Sequence, residues 1–316
     1  MLAFIEEWNS TTKTITVNTS GSTGTPKKTE LLKSHMVISA KKTLDYFALN
    51  PGDTALLCLS PETIAGKMMI VRSLVGNLNL IVSDIDSAPL EKTEQHIDFV
   101  ALVPLQVEKT LKTAPKKLIS VKTILIGGGP ISASLSIKLR EQKIQAFHSY
   151  GMTETISHVA IRKVGLEETD TFEALKGIEF SQENGQLHVH YPEIGHSNLA
   201  TNDLVELIDN HHFKFLGRAD FIINSGGIKI NPERIEDRLS SVISAPFFIC
   251  GISDEKLGQK LVLLIEGMQA QTPTLMELKS ILPKFYDPKE IYFLNRFVRT
   301  ESGKINRLET IKMIQL

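Results

Sequence analysis

Thr19-Ser20-Gly21-Ser22-Thr23-Gly24-Thr25-Pro26-Lys27 crowds hydroxyl side chains and two glycines into nine positions and closes on a lysine. Glycine reaches backbone angles closed to other residues, so such a loop turns its N–H groups toward an anion. The hydroxyls add donors, and Lys27 adds a point charge. This is chemistry for a polyphosphate. The common nucleotide loop places four residues between its first glycine and Gly-Lys. Here only two residues lie between Gly21 and Gly24, and the lysine follows a proline. The loop suggests ATP, handled differently from a P-loop ATPase.

Working outward, short apolar runs alternate with helical patterns. Strands are expected at 54–59, 80–82, 99–103, 123–126 and 144–147, with helices at 66–75, 106–112 and 133–142. Buried strands alternating with helices imply a parallel sheet covered by helices. After Gly151 the texture changes. Alternating runs at 186–191, 204–208 and 212–216, separated by Asn, Asp and Gly turns, predict an antiparallel, barrel-like part. A second shift falls at Gly217-Arg218-Ala219-Asp220. Beyond it come a helix (232–242), two strands (247–251 and 260–266), a helix (273–282), a strand (291–294) and a helix from about Lys304. The expected class is α/β. A large domain, residues 1–219, holds the parallel sheet flanked by helices and the small antiparallel part. A small, mobile α+β domain, residues 220–316, follows.

Composition narrows the class. A chain of 316 residues has room for two domains. With 42% hydrophobic and 22% charged residues it reads as an ordinary soluble protein. A net charge of −1 argues against a nucleic-acid surface or a polybasic membrane contact. Cys58 and Cys250 sit in apolar runs, which reads as buried free thiols in a reducing cytoplasm, not a metal site. Glu6 and Glu7 interrupt the apolar opening, so no signal peptide is expected, and no apolar run reaches membrane-spanning length.

Four further segments carry polar chemistry. Gly127-Gly128-Gly129-Pro130 follows a strand and precedes a helix, where glycines let a flat ligand approach the carboxyl edge of the sheet. A plain strand-to-helix turn is the alternative. His148-Ser149-Tyr150-Gly151-Met152-Thr153-Glu154 follows the next strand. Tyr150 offers a ring for stacking, and Thr153 and Glu154 offer oxygens suited to Mg²⁺. Thr201-Asn202-Asp203 and Gly217-Arg218-Ala219-Asp220, with Ser225-Gly226-Gly227 beyond, supply an Asp and an Arg that could grip ribose hydroxyls. Near the end, Ser302-Gly303-Lys304 is a tight turn opening a helix. Taken singly, each charged residue here reads as a solvated surface charge.

In this order the set resembles the adenylate-forming enzymes: acyl-CoA synthetases, aryl-CoA ligases, luciferases and peptide-synthetase adenylation domains. Their pattern is a Ser/Thr/Gly loop ending in Pro-Lys, then Tyr-Gly-x-Thr-Glu, Thr-Gly-Asp, Gly-Arg-x-Asp and a terminal Gly-Lys. The resemblance runs from about Val17 to Arg307. It implies that Thr19, Ser20, Gly21, Ser22, Thr23, Gly24 and Lys27 hold the β- and γ-phosphates. It implies that Gly127, Gly128, Gly129, Pro130, Ser149, Tyr150 and Gly151 border the adenine and acyl pocket. Thr153 would touch the α-phosphate and Glu154 would help hold Mg²⁺. Asp203 and Arg218 would contact the ribose, and Asp220 would be the hinge. Lys304 would reach the carboxylate and α-phosphate oxygens during adenylation. Ser225, Gly226 and Gly227 would come beside the thiol nucleophile in the second half-reaction. The implied partners are a carboxylic acid, ATP with Mg²⁺, and coenzyme A.

The substrate reading rests on the segment after Leu59-Ser60-Pro61, where Lys67 and Arg72 lie on a helix expected to line the acyl site. An arginine at this place is similar to the branch of the family that activates o-succinylbenzoate in menaquinone synthesis. That acid carries a second carboxylate which a buried cation could pair with. A structural ion pair is the alternative reading of Arg72, and another aryl- or acyl-CoA ligase is the alternative function. Three departures stand out. Only eighteen residues precede Thr19, so part of the acyl wall or a dimer surface is either missing or supplied by a partner, and a homodimer is one arrangement allowed. Asn202 replaces a glycine, and Lys229 stands where Arg or Asn is common. Two rivals remain: a non-catalytic acyl- or AMP-binding relative, and a kinase using residues 21–27.

Overall fold

The computed structural model describes residues 1–19, 27–268, 273–299 and 305–314. Ser20, Gly21, Ser22, Thr23, Gly24 and Lys304 therefore lie outside the described residues, and only the backbones of Thr19 and Lys27 are described.

The chain opens with helix α1 (Leu2–Asn9), followed by β1 (Thr14–Thr19) and β2 (Lys27–Leu32). β1 and β2 pair antiparallel, from Thr14 opposite Leu32 to Thr19 opposite Lys27. The first and last residues of the hydroxyl- and glycine-rich stretch, Thr19 and Lys27, thus face each other across this pair. Alternate residues Ile15 and Val17 point into the core, as the two-residue period of a strand requires.

Helix α2 (Lys33–Tyr46) was not foreseen. It buries Met36, Ser39, Ala40, Thr43 and Leu44, a stripe at helical spacing. Two of those five are hydroxyl residues, which dilutes the apolar signal. β3 (Thr54–Leu57) leads into α3 (Ile64–Gly76). The Thr63 side chain caps α3 by accepting from the Gly66 N–H at 3.3 Å. α3 is buried without interruption from Gly66 to Ser73, which seals Lys67 and Arg72 inside the protein.

β4 (Asn79–Val82), β5 (Phe99–Leu102), α4 (Pro104–Thr113), α5 (Pro115–Ile119), β6 (Thr123–Ile126), α6 (Ala133–Glu141) and β7 (Gln145–Gly151) complete the alternating part. Strands β7, β6, β5, β3 and β4 lie side by side in that order, all parallel. β5 and β6 are buried along their whole length, as strands covered on both faces are. The order turns between β3 and β5, the topological position at which open α/β sheets bind ligands beyond their carboxyl ends.

The antiparallel part is joined edge to edge with the parallel one. β8 (His158–Gly165) returns along β7, pairing Gln145 with Gly165 and Gly151 with His158. β9 (Thr171–Ala174), β10 (Glu179–Glu183), β11 (Gln186–Tyr191), β12 (His196–Asp209) and β13 (His212–Arg218) then extend one continuous sheet of eleven strands, ordered β10-β11-β12-β13-β9-β8-β7-β6-β5-β3-β4. The antiparallel part expected from the sequence is thus continuous with the main sheet. β8, which makes the junction, covers the edge that β7 would otherwise leave open.

A second sheet follows. β14 (Ile223–Ser225) and β15 (Ile228–Ile230) form a hairpin whose tip, Gly226 and Gly227, has φ of 60° and 83°. Two positive angles in a two-residue turn are what a type I′ hairpin needs. α7 (Pro232–Leu239), β16 (Phe247–Asp254), β17 (Gly258–Glu266), α8 (Leu275–Ile281), β18 (Glu290–Leu294) and α9 (Arg307–Lys312) complete the chain. The five strands have their own apolar clusters on each face, one around Ile235, Leu263 and Leu278 and the other around Phe248, Val262 and Phe297. Both cysteines are buried and free, with burial pushing each thiol up to about 12. Among the described residues, no helix is long and apolar enough to cross a membrane.

Candidate active site

The carboxyl ends of β6 and β7 bring Ile126 and Gly127 against Ser149, with Gly128, Gly129 and Pro130 following on the way to α6. The Ser149 hydroxyl donates to the Ile126 carbonyl at 3.1 Å. A Cβ on Gly127 would stand 2.7 Å from that hydroxyl oxygen, so the close approach requires glycine. One residue earlier, Arg162 Nε donates to His148 Nδ1 at 3.2 Å. The other ring nitrogen must then carry the proton, and it donates to the Gly129 carbonyl at 3.1 Å. Burial, with Arg162 beside the ring, holds His148 down at about 3, so the tether is neutral imidazole. The sequence reading quoted His148 without assigning it a role.

Tyr150, Asp203, Arg218 and Asp220 form one chain. Asp203 and Arg218 are opposite one another across β12 and β13, which is how residues fifteen apart meet. The Tyr150 hydroxyl donates to Asp203 Oδ2 at 2.5 Å, and Arg218 Nη1 donates to Asp203 Oδ1 at 3.4 Å. Arg218 also grips Asp220 with two bonds of 2.8 Å, a bidentate pair. Burial raises Asp203 above the usual carboxylate range and raises Tyr150 well above that of a phenol, with the Asp203 charge adding to the latter. Tyr150 packs edge-on against Phe213, ring centres 5.1 Å apart.

Thr153 and Glu154 occupy the turn between β7 and β8, with the Glu154 side chain exposed. The turn is held from within. Thr155 Oγ1 accepts from the Met152 N–H at 3.0 Å and donates to the Ser157 carbonyl at 2.8 Å, while His196 Nε2 donates to the Glu154 carbonyl at 2.8 Å. Ile156 is buried with φ of 68°. For a β-branched residue this is a strained angle, costing about 1–3 kcal/mol, and such strain persists where the surroundings impose it. No sequence signal announced it.

Arg72 lies behind this turn. Its Nη2 donates to Ser157 Oγ at 2.5 Å, its Nε to Thr43 Oγ1 at 3.1 Å, and its Nη1 to Met69 Sδ at 3.8 Å. Only 3% of it is exposed, and burial lowers it to about 10. The ion pair weighed as its alternative role is not found among the described residues: its partners are hydroxyls and a thioether. His158, packed beside it, is pushed well below its ordinary value by burial and by Arg72, so it too is neutral. Lys67 parts company with Arg72. Its Nζ lies over the Phe4 ring at 4.7 Å, on the side of α1.

Ser225, Gly226 and Gly227 stand at the β14–β15 tip, where the Gly226 N–H donates to the Leu257 carbonyl at 2.9 Å. The described contacts bring together Tyr150, Asp203, Arg218 and Asp220, and separately Ser149 with Ile126 and Gly127 and His148 with Gly129. They do not join either group to Lys67 or to Ser225.

These features define a mixed α/β protein in which β7 carries Ser149 and Tyr150 toward its carboxyl end. The model of the AMP-binding enzyme family matches residues 11–179. The chain belongs to the AMP-binding enzyme family. It is similar to the 2-succinylbenzoate–CoA ligase of Escherichia coli K12, 26% identical over 94% of this chain and 68% of that one. The probable 2-succinylbenzoate–CoA ligase of Mycobacterium tuberculosis is 28% identical over 94% and 84%. Among solved structures, an acyl-CoA synthetase (AMP-forming)/AMP-acid ligase II-like protein from Dyadobacter fermentans is 35% identical, with a TM-score of 0.65 over 99% of this chain and 93% of that one. The Bacillus subtilis o-succinylbenzoate coenzyme A synthetase, in complex with ATP and magnesium ion, shares the fold at a TM-score of 0.80 and 22% identity, over 94% and 69%.

Proposed function

We propose that the protein is an AMP-forming acid–CoA ligase whose acid carries a second carboxylate, o-succinylbenzoate being the candidate. The observation that carries the substrate half is Arg72, a buried guanidinium whose described partners include no carboxylate, in contact with the turn that follows Tyr150 and Glu154. A buried cation without a counter-charge is costly, and a ligand carboxylate would supply one.

A carboxylate oxygen of the acid attacks the α-phosphorus of ATP. The bond to the bridging oxygen breaks, and pyrophosphate leaves with its electron pair. A thiolate of CoA then attacks the acyl carbon, AMP departs, and the thiol proton passes to solvent. Two anions meet in the first step, so fixed positive charge near the transition state matters most, each such contact being worth roughly 2.7–4 kcal/mol. In this reading Lys304 supplies it, and Lys27 with residues 19–24 holds the leaving pyrophosphate. Asp203 and Arg218 receive the ribose, and residues 127–130 with Tyr150 flank the base and acyl group. Thr153 contacts the α-phosphate.

The donors fit Mg²⁺: Glu154 presents an exposed carboxylate on the turn, and this ion takes one or two carboxylates with the rest from phosphate and water. When bound, it would neutralise phosphate charge. The chain divides at Asp220 in this reading. The C-terminal domain, residues 220–316, moves between the half-reactions and brings Ser225, Gly226 and Gly227 toward the thiol. The two buried free thiols support a reducing cytoplasm as the setting.

ATP–pyrophosphate exchange tests the reading. Exchange dependent on o-succinylbenzoate, with AMP as the nucleotide product, is expected. Exchange with no carboxylate, or ADP as product, would sink it.

A further inference from the structure

We propose that Asn231 and Glu233 form a clamp by which the second sheet's unit grips the strand end carrying Arg218, so that docking of the unit and the setting of Arg218 are one event. β13 ends at Arg218, and α7 begins just beyond Asn231. Asn231 Nδ2 donates to the Leu216 carbonyl at 2.5 Å, and Glu233 Oε2 accepts from the Arg218 N–H at 2.7 Å. The Asn231 oxygen meanwhile accepts from the Glu233 N–H at 2.9 Å, so the side chain caps α7 with one end and holds β13 with the other.

Gly217 lies between the two grips with φ of 134°. A Cβ there would stand 2.0 Å from Glu233 Oε2 and 2.4 Å from Asn231 Nδ2, so the clamp needs glycine at this place. The backbone of Arg218 belongs to the clamp, while its side chain reaches Asp203 and Asp220. Moving α7 away would leave the Leu216 carbonyl and the Arg218 N–H without these partners and free the angle that aims the guanidinium.

The carboxylate at the centre of the clamp titrates in the working range. Burial raises Glu233 from 4.5 to about 7; Arg307 from α9 and the bond from the Arg218 N–H oppose this, and Glu236 on α7 and Asp203 on β12 add to it. A raised acid favours the docked state when protonated. Docking is therefore strongest below the ordinary glutamate value and weakens as pH rises through about 7.

The nucleotide half of this inference rests on the AMP-forming reading, so the test has two arms. Fluorophores on Lys112→Cys and Glu255→Cys, both exposed, report the distance between the units, the native cysteines being buried. The parent should show one distance at low pH that broadens as pH rises through about 7. Glu233→Gln, which keeps an acceptor oxygen and cannot ionise, should hold the docked distance at every pH. Glu233→Leu and Asn231→Ala should broaden it throughout and weaken AMP binding by roughly fivefold, the scale of one lost hydrogen bond. Unchanged distances in Glu233→Leu, or undocking with unchanged AMP affinity, would overturn the proposal. A parent that binds no AMP would overturn the nucleotide reading and the coupling with it, while the distances would still decide the clamp.

Discussion

A guanidinium sealed from water at Arg72 costs free energy that hydroxyl partners only partly offset. Replacing it with methionine, which matches its length without its charge, should leave the thermal stability of the ligand-free protein equal or higher. The same change should raise KM for o-succinylbenzoate tenfold or more, about 1.4 kcal/mol, and leave benzoate-like monoacids little affected. Equal changes for both acids would disprove the pairing. Tyr150→Phe removes the donor to a buried Asp203, with an expected loss of about 1–3 kcal/mol in urea unfolding and a higher KM for ATP. Tyr150 and Asp203 were legible as candidates because the motifs name them, and Arg72 because of its place on the helix after Leu59-Ser60-Pro61. His148, Asn231 and Glu233 were not, because their roles consist of contacts to backbone groups distant in sequence.

At the scale of elements, α3 sets the direction of Arg72, and its first turn hangs on Thr63 and Gly66. Thr63→Ala should cost about 1 kcal/mol in thermal or urea unfolding, and Thr63→Ser much less. Equal losses in the two variants would mean the hydroxyl is not the cap. Gly66→Ala is a harsher change, since its Cβ would fall 2.1 Å from the Ser60 carbonyl oxygen. Strands β3, β5 and β6 were readable as continuous apolar runs. α2 and β8 escaped. The buried face of α2 carries Ser39 and Thr43, and β8 begins with His158, whose polarity the fold absorbs by burial in neutral form. Both elements are specified by the faces they cover more than by their own periodicity.

For the whole molecule, the question is how one nucleotide site serves two reactions. Lys304→Ala should abolish most pyrophosphate exchange and spare thioester formation from a preformed acyl-adenylate. Equal loss in both half-reactions would remove Lys304 from its assigned role. The Asn231–Glu233 clamp predicts that the balance between those half-reactions also shifts with pH across 7, since the contact that titrates lies at the junction of the two sheets. His148 should add no step to that profile above pH 5, because it is already neutral there.

The order of the motifs, the alternation of buried strands with helices and the family they define were all present in the linear chain, because glycine placement and apolar periodicity are local. Tertiary structure alone decided which side chains meet. It put Arg72 against Ser157, eighty-five residues on, and drew Lys67 away to Phe4. It merged the antiparallel strands into the main sheet and set Glu233 on the backbone of Arg218. Burial, pairing and the proton affinities that follow from them depend on topology, which no stretch of sequence carries by itself.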